Sequence, residues 1–261
     1  MRVLERSNSA GVAARIVTRL LDSARATLVS DVRIGLGYTA VMVEGGSVGV
    51  AYTFRDQARG GCSVFTGIRT LASRPASDLL VFLESRDPIE AGVGLACANG
   101  LMNRDRDGYL EGDVLDHLDL RPEDHVGMVG HFGPLVSTIQ SRVRSLTVFG
   151  RVDQPSGFLR PQEEAEDALP RCQVALVTAT SIINHTVDGL LKAARGCREV
   201  AVLGASTPLL AQAFSAEKVT MLSGVVVKEP TEVLRIVSEG GGMRQFSPHV
   251  RKVTVKGINS K

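Results

Sequence analysis

The sequence predicts an α/β protein: a small α+β domain over residues 1–112, followed by a Rossmann-like parallel-sheet domain over 113–261. Three observations carry this. His125-Val-Gly-Met-Val-Gly-His-Phe-Gly-Pro-Leu135 reads as a buried strand, a glycine turn and a helix start with proline at its first position. From there to the C-terminus strand-like and helix-like segments alternate, as a doubly wound sheet requires. The first hundred residues instead read as a strand meander followed by helices.

In chain order, residues 11–26 form an amphipathic helix. Ala13, Ile16, Val17, Leu20, Leu21 and Ala24 make its apolar stripe, while Arg15, Arg19 and Asp22 face water. Three extended stretches follow, on Val32 to Leu36, Thr39 to Val43 and Val48 to Tyr52, with Gly45-Gly46 as a hairpin turn. Gly60-Gly61 closes this part. Helices are expected near 64–72, 76–84 and 88–102, the last beginning at Pro88.

Asn103 to Asp113 imitates a calcium loop. Asn103, Asp105, Asp107 and Gly108 stand at its first, third, fifth and sixth positions, but Val114 occupies the twelfth, where a bidentate glutamate belongs. We read it as a solvated loop. The second domain then gives strands at 125–129, 146–149, 173–178 and 199–203. Val219 to Val227 gives one or two more, and helices follow Gly204-Ala-Ser-Thr-Pro208 and Pro230.

Totals exclude several function classes. Net charge is +2 with arginine and lysine scattered, which argues against a nucleic-acid or membrane surface. No apolar run reaches membrane-spanning length and no secretory core follows Arg2, Glu5 and Arg6, so a cytoplasmic location is expected. Cys62, Cys97, Cys172 and Cys197 lie far apart, without a close pair, so no residue set is assigned to a metal.

Chemistry is expected at the carboxyl edge of the sheet, where ligands bind in open α/β folds. Three turns there share small and polar residues: Gly130, Phe132 and Gly133; Thr178, Thr180, Asn184 and Thr186; Ser206 and Thr207. Each hydroxyl or amide alone is equally explained as a helix cap; three turns on one edge point to a binding site for a small molecule. Asn184 would hold a carbonyl or amide and the Ser206–Thr207 turn an anionic group. Glu90, Asn99 or the turn at Thr53–Arg55 would supply the opposite wall. His131 and His185 are the general acid–base candidates, with Glu90 and Glu239 in reserve; a structural role fits either histidine equally. The glycines run Gly-x-x-Gly-x-x-Gly, and the second strand ends Phe149-Gly150-Arg151 without the ribose-holding acid, which disfavours an NAD site. No cofactor is named by these residues, and monomer and homodimer both remain open.

Gly130-His-Phe-Gly-Pro-Leu135, the stretch Thr178 to Thr186, Gly204-Ala-Ser-Thr-Pro-Leu209 and Glu239-Gly-Gly-Gly242 resemble the C-terminal domain of the putative heavy-metal-chelation family. Glu90 to Asn99 resembles the end of that family's N-terminal domain. The resemblance implies an enolase-N-terminal-like α+β domain, a Rossmann-like domain and a cleft between them. It also implies a pterin-, flavin- or siderophore-like ligand, condensed or hydrolysed in heavy-metal handling. Ala205 replaces an expected proline and Gly150 an expected acid, so no ribose- or cation-holding acid carries over to position 150. The alternatives are a non-catalytic ligand or metal carrier and an S-adenosylmethionine-dependent methyltransferase-like enzyme.

Overall fold

The computed structural model describes residues 10–58 and 70–258. The Gly60-Gly61 turn, Cys62 and most of the helix expected near 64–72 lie outside them. Helix α1 (Val12–Arg25) buries Val12, Ala13, Ile16, Val17, Leu20 and Ala24. Arg15 does not face water as its place in the pattern suggested, being 5% exposed. Its Nε donates to Ala213 O at 2.6 Å and its Nη1 to Ala10 O at 2.6 Å, and Nη2 meets Glu217 at 3.3 Å. A neighbouring carbonyl, Ala10 O, together with Ala213 O and the Glu217 carboxylate from the far end of the chain, satisfies the guanidinium, which is what permits its burial.

Strands β1 (Val29–Ile34), β2 (Tyr38–Val43) and β3 (Val48–Tyr52) form an antiparallel sheet, joined at Gly45-Gly46 with both glycines at positive φ. Helix α2 (Ala76–Leu80) continues as a 3-10 turn to Glu84. Helix α3 (Pro88–Met102) starts where the sequence says. Asp87 caps it, accepting from Ile89 N at 2.9 Å and Glu90 N at 3.4 Å. It is apolar on every side, and every residue from Ala91 to Met102 is buried, as a helix without a polar face must be. Gly92, Gly94 and Gly100 cost about 1 kcal/mol each in helix propensity. Burying Ile89, Val93, Leu95 and Leu101 at about 1.5–3 kcal/mol each outweighs that.

The second half builds an eight-stranded sheet. Its elements are β4 (Leu110–Glu111), β5 (His125–Val129), α4 (Gly133–Gln140), β6 (Ser145–Gly150), β7 (Leu159–Pro161), α5 (Ala165–Ala168), β8 (Val174–Thr178), α6 (Thr180–Ile183), α7 (Val187–Ala193), β9 (Glu199–Leu203), β10 (Met221–Val227), α8 (Pro230–Ser238), α9 (Met243–Phe246) and β11 (Val250–Lys256). The order is β4-β11-β10-β9-β8-β5-β6-β7. Strands β10 through β7 are parallel, and β11 and β4 extend the sheet antiparallel. From β5 the chain winds outward through β6 and β7, then returns to β8 and winds the other way. The topological switch point therefore lies between β5 and β8.

The helix expected after Gly204 to Pro208 is replaced by a single 3-10 turn at Ala211–Phe214. The reason is a pair of amides on α3. Asn99 Nδ2 donates to Val50 O at 2.9 Å and Ser206 O at 3.0 Å. One turn on, Asn103 Nδ2 donates to Thr207 O at 2.9 Å and Val225 O at 3.3 Å, and its Oδ1 accepts from Leu209 N at 2.9 Å. Backbone groups that a helix would use are committed to α3 instead. One apolar cluster runs continuously from α1 and α3 to Val177, Val200 and Leu222 of the large sheet. Among the described residues no helix is long and apolar enough to cross a membrane.

Candidate functional site

At the switch point lies a cleft of about 320 Å³. Gly130, His131 and Phe132 enter it from the end of β5, Gly150 and Arg151 from β6, and Thr178, Thr180, Ser181 and Asn184 from β8. Tyr52 and Phe54 face them from the first half of the chain, and Gln162 closes one side. Gly130 makes this approach feasible. It sits at φ +91°, and a Cβ there would stand 2.8 Å from Thr178 Cβ.

The polar groups are held by one another. Thr178 and Thr180 hydroxyls lie 3.0 Å apart, and Ser181 Oγ donates to Thr178 O at 2.6 Å. Asn184 Oδ1 accepts from the Thr186 hydroxyl at 2.8 Å and from Thr186 N at 3.3 Å. Its amide nitrogen has no protein partner among the described residues. Arg151 has no carboxylate partner among them either; its guanidinium lies 4.7 Å over the Phe54 ring, an attraction of electrostatic origin. Tyr52 packs edge-on against Phe54 at 5.1 Å between centroids. The cleft thus offers a cation, aromatic surface and fixed hydroxyl and amide groups.

Of the residues singled out in the sequence, Gly130, His131, Phe132, Thr178, Thr180 and Asn184 come together here. Others do not line the cleft. Gly133 begins α4 behind His131. Ser206 and Thr207 are buried, and Ser206 Oγ accepts from Tyr52 N at 2.9 Å, so that turn joins the two halves and is shut off from any ligand. Asn99 is buried in the amide clamp. Thr186 serves Asn184. His185, at φ +58°, places Nε2 2.8 Å from Ser85 O, and Ser85 Oγ donates to Glu90 at 2.5 Å. His185 and Glu90 are thus joined through Ser85, away from the lining. Glu239 lines a different hollow of about 600 Å³, with Leu36, Arg55 and Ile89.

Phe54 belongs to the Thr53–Arg55 turn expected on the opposite wall, whereas Tyr52, Arg151 and Gln162 are not among the residues the sequence points to. The signal for Arg151 is its place directly after the second parallel strand, on the same carboxyl edge. Among the described residues no three His, Cys, Asp or Glu side chains converge as a metal site.

Comparison with known proteins agrees with this architecture. A family profile described as "Putative heavy-metal chelation" matches residues 113–256, more than half of the chain, and a second profile of the same description matches 17–102. No curated protein matches the sequence. Among solved structures, a protein of unknown function from Desulfitobacterium hafniense superposes with a TM-score of 0.78 at 24% identity, covering 92% of this chain and 98% of its own. Another, from Pyrococcus horikoshii, gives 0.82 at 21% identity, covering 94% of this chain and 100% of its own. At these identities the likeness speaks for the fold, a small antiparallel sheet with helices joined to a Rossmann-like sheet. With both profiles matched in order along one chain, the protein belongs to the family described as putative heavy-metal chelation.

Proposed function

We propose that the switch-point cleft binds a small, planar, anionic organic molecule, with the protein working in the cytoplasm. The observation that carries this is Arg151: a cation without a carboxylate partner among the described residues, laid on an aromatic ring at the strand end where open α/β sheets take their ligands. A planar anion could exchange with the guanidinium's solvent, stack on Phe54 or Phe132, and take hydrogen bonds from Thr178, Thr180 and Asn184. Pterin-, flavin- and siderophore-like molecules fall in this class. The described residues offer no cluster of metal ligands, so a heavy metal would enter already chelated by the organic molecule. Gly150 stands where nucleotide-binding folds keep a ribose-holding acid, with Arg151 after it, which speaks against NAD.

His131 is the histidine of the cleft lining and the proton-transfer group of this reading, if the bound molecule is turned over. Native mass spectrometry of freshly purified full chain would name the molecule that travels with it. Titrating that molecule into wild type, Arg151→Ala and His131→Ala, and following its chemical change, separates the roles. Loss of affinity in Arg151→Ala is expected. Loss of turnover by about 10²–10⁴-fold with binding retained is expected in His131→Ala. Unchanged ligand on long incubation with wild type would assign the cleft to a carrier. Protein that arrives empty and gains no thermal stability from aromatic carboxylates or their metal chelates would refute the reading.

A further inference from the structure

Two cysteines far apart in sequence meet at the opposite, amino edge of the large sheet. Strands β8 and β9 pair from Val174 beside Glu199, and Cys172 and Cys197 each lie two residues before that first pair, close enough for one thiol to act electrostatically on the other. Their thiols donate to consecutive carbonyls, Cys172 Sγ to Ala168 O at 3.7 Å and Cys197 Sγ to Leu169 O at 3.5 Å. The same Leu169 oxygen accepts Cys172 N at 3.0 Å. Gly127 of β5 leaves the space, since a Cβ there would stand 3.1 Å from Cys172 Sγ. Neighbouring strands run about 4.8 Å apart, within the Cα separation of about 4.4–6.8 Å that a disulfide spans.

We propose that Cys172 and Cys197 form a dithiol that a hydroperoxide closes to an intramolecular disulfide. The two thiols have different access. Cys172 is partly exposed and stands next to Arg171, whose charge favours its thiolate; Cys197 is buried. Cys172 is therefore the attacking sulfur. Its thiolate takes the terminal oxygen of the hydroperoxide, breaking the O–O bond and releasing an alcohol, and becomes a sulfenic acid. The Cys197 sulfur then attacks that sulfur, forming the S–S bond and expelling water. Together two thiols and one hydroperoxide give one disulfide, one alcohol and one water. The sulfurs are oxidised by two electrons and the peroxide is reduced by two. Burial raises both thiols, Cys197 to about 11, against the opposing charges of Arg171 and Lys218. The pair is accordingly a slow responder.

The experiment exposes reduced, folded full-length protein to hydrogen peroxide, quenches with an alkylating reagent and maps peptides by mass. A Cys172–Cys197 cross-linked peptide, reopened by dithiothreitol, is expected, with Cys172 consumed at least about tenfold faster than buried Cys97. Cys197→Ser should stop at a Cys172 sulfenic acid that dimedone traps, and Cys172→Ser should leave Cys197 reduced. The proposal fails if Cys172 reacts no faster than Cys97, pairs with a different cysteine, or joins Cys197 only in urea. Wild-type mapping alone decides these three outcomes, so a variant that folds poorly does not rescue the idea.

Discussion

Asn103→Ala should be among the most damaging single substitutions outside the apolar core. Asn103 is 3% exposed and ends α3. Its side chain makes three hydrogen bonds, to Thr207 O, Val225 O and Leu209 N, at 2.9, 3.3 and 2.9 Å. A net hydrogen bond contributes about 0.5–1.5 kcal/mol, and a buried donor left without a partner costs about 1–3 kcal/mol. Alanine removes all three bonds and strands the Leu209 N–H. The expected loss is about 3 kcal/mol, roughly a hundredfold in the folding equilibrium. Urea unfolding followed by circular dichroism would show it as a lower midpoint at unchanged slope. Asn103→Asp tests the cause: a carboxylate keeps Leu209 N but turns an acceptor on the Thr207 and Val225 carbonyls, so it should lose as much or more. A loss below about 1 kcal/mol for alanine, or a well-tolerated aspartate, would refute the claim that this amide fastens the 204–210 segment.

Three further outcomes are expected. Arg151→Ala should weaken binding of the co-purifying molecule by about tenfold or more and leave the urea midpoint unchanged, because the guanidinium is exposed and its only described contact is a ring. Asp124, buried and holding Arg198 at 2.9 and 2.8 Å, has its carboxyl held below the usual range, first by the hydrogen bonds from Arg198. A depressed carboxyl contributes stability above its unfolded value of about 3.9 and loses it as pH falls through the folded value. Asp124→Asn should therefore cost about 2 kcal/mol at neutral pH, the worth of a hydrogen bond to a charged group, and flatten the acid limb of stability against pH. Calcium titration of residues 103–113 should show no micromolar site, since Asn103 is committed to backbone and Asp105 faces Lys228 at 2.7 Å and Arg251.

Local chemistry made much of this protein legible in its sequence. Asp87 and Pro88 begin α3 because a carboxylate can cap free N–H groups and proline has none to lose. The run Val126 to Pro134 makes a strand, turn and helix because apolar residues, glycine and proline allow little else there. From alternating elements the carboxyl edge follows, and with it the placement of Gly130, His131, Phe132, Thr178, Thr180 and Asn184 in one cleft.

Side-chain direction did not follow, because partners distant in the sequence largely set it. Ser206 and Thr207 look like ligand donors in any strand-to-helix turn. Asn99 and Asn103 draw that turn inward, across sequence separations of 107 and 104 residues, taking the Ser206 and Thr207 carbonyls, while Tyr52 N takes Ser206 Oγ. Arg15 lies on the polar side of a helical wheel, yet carbonyls of residues 10 and 213 make its burial affordable. Phe54 and Arg151, 97 residues apart, meet only once the first half of the chain is laid against the switch point. Cys172 and Cys197 become neighbours only once β8 pairs with β9 and both thiols turn to the carbonyls of Ala168 and Leu169. Periodicity reports which face of an element is apolar; it carries nothing about which distant backbone group will reach a given polar atom, and the tertiary structure decided that.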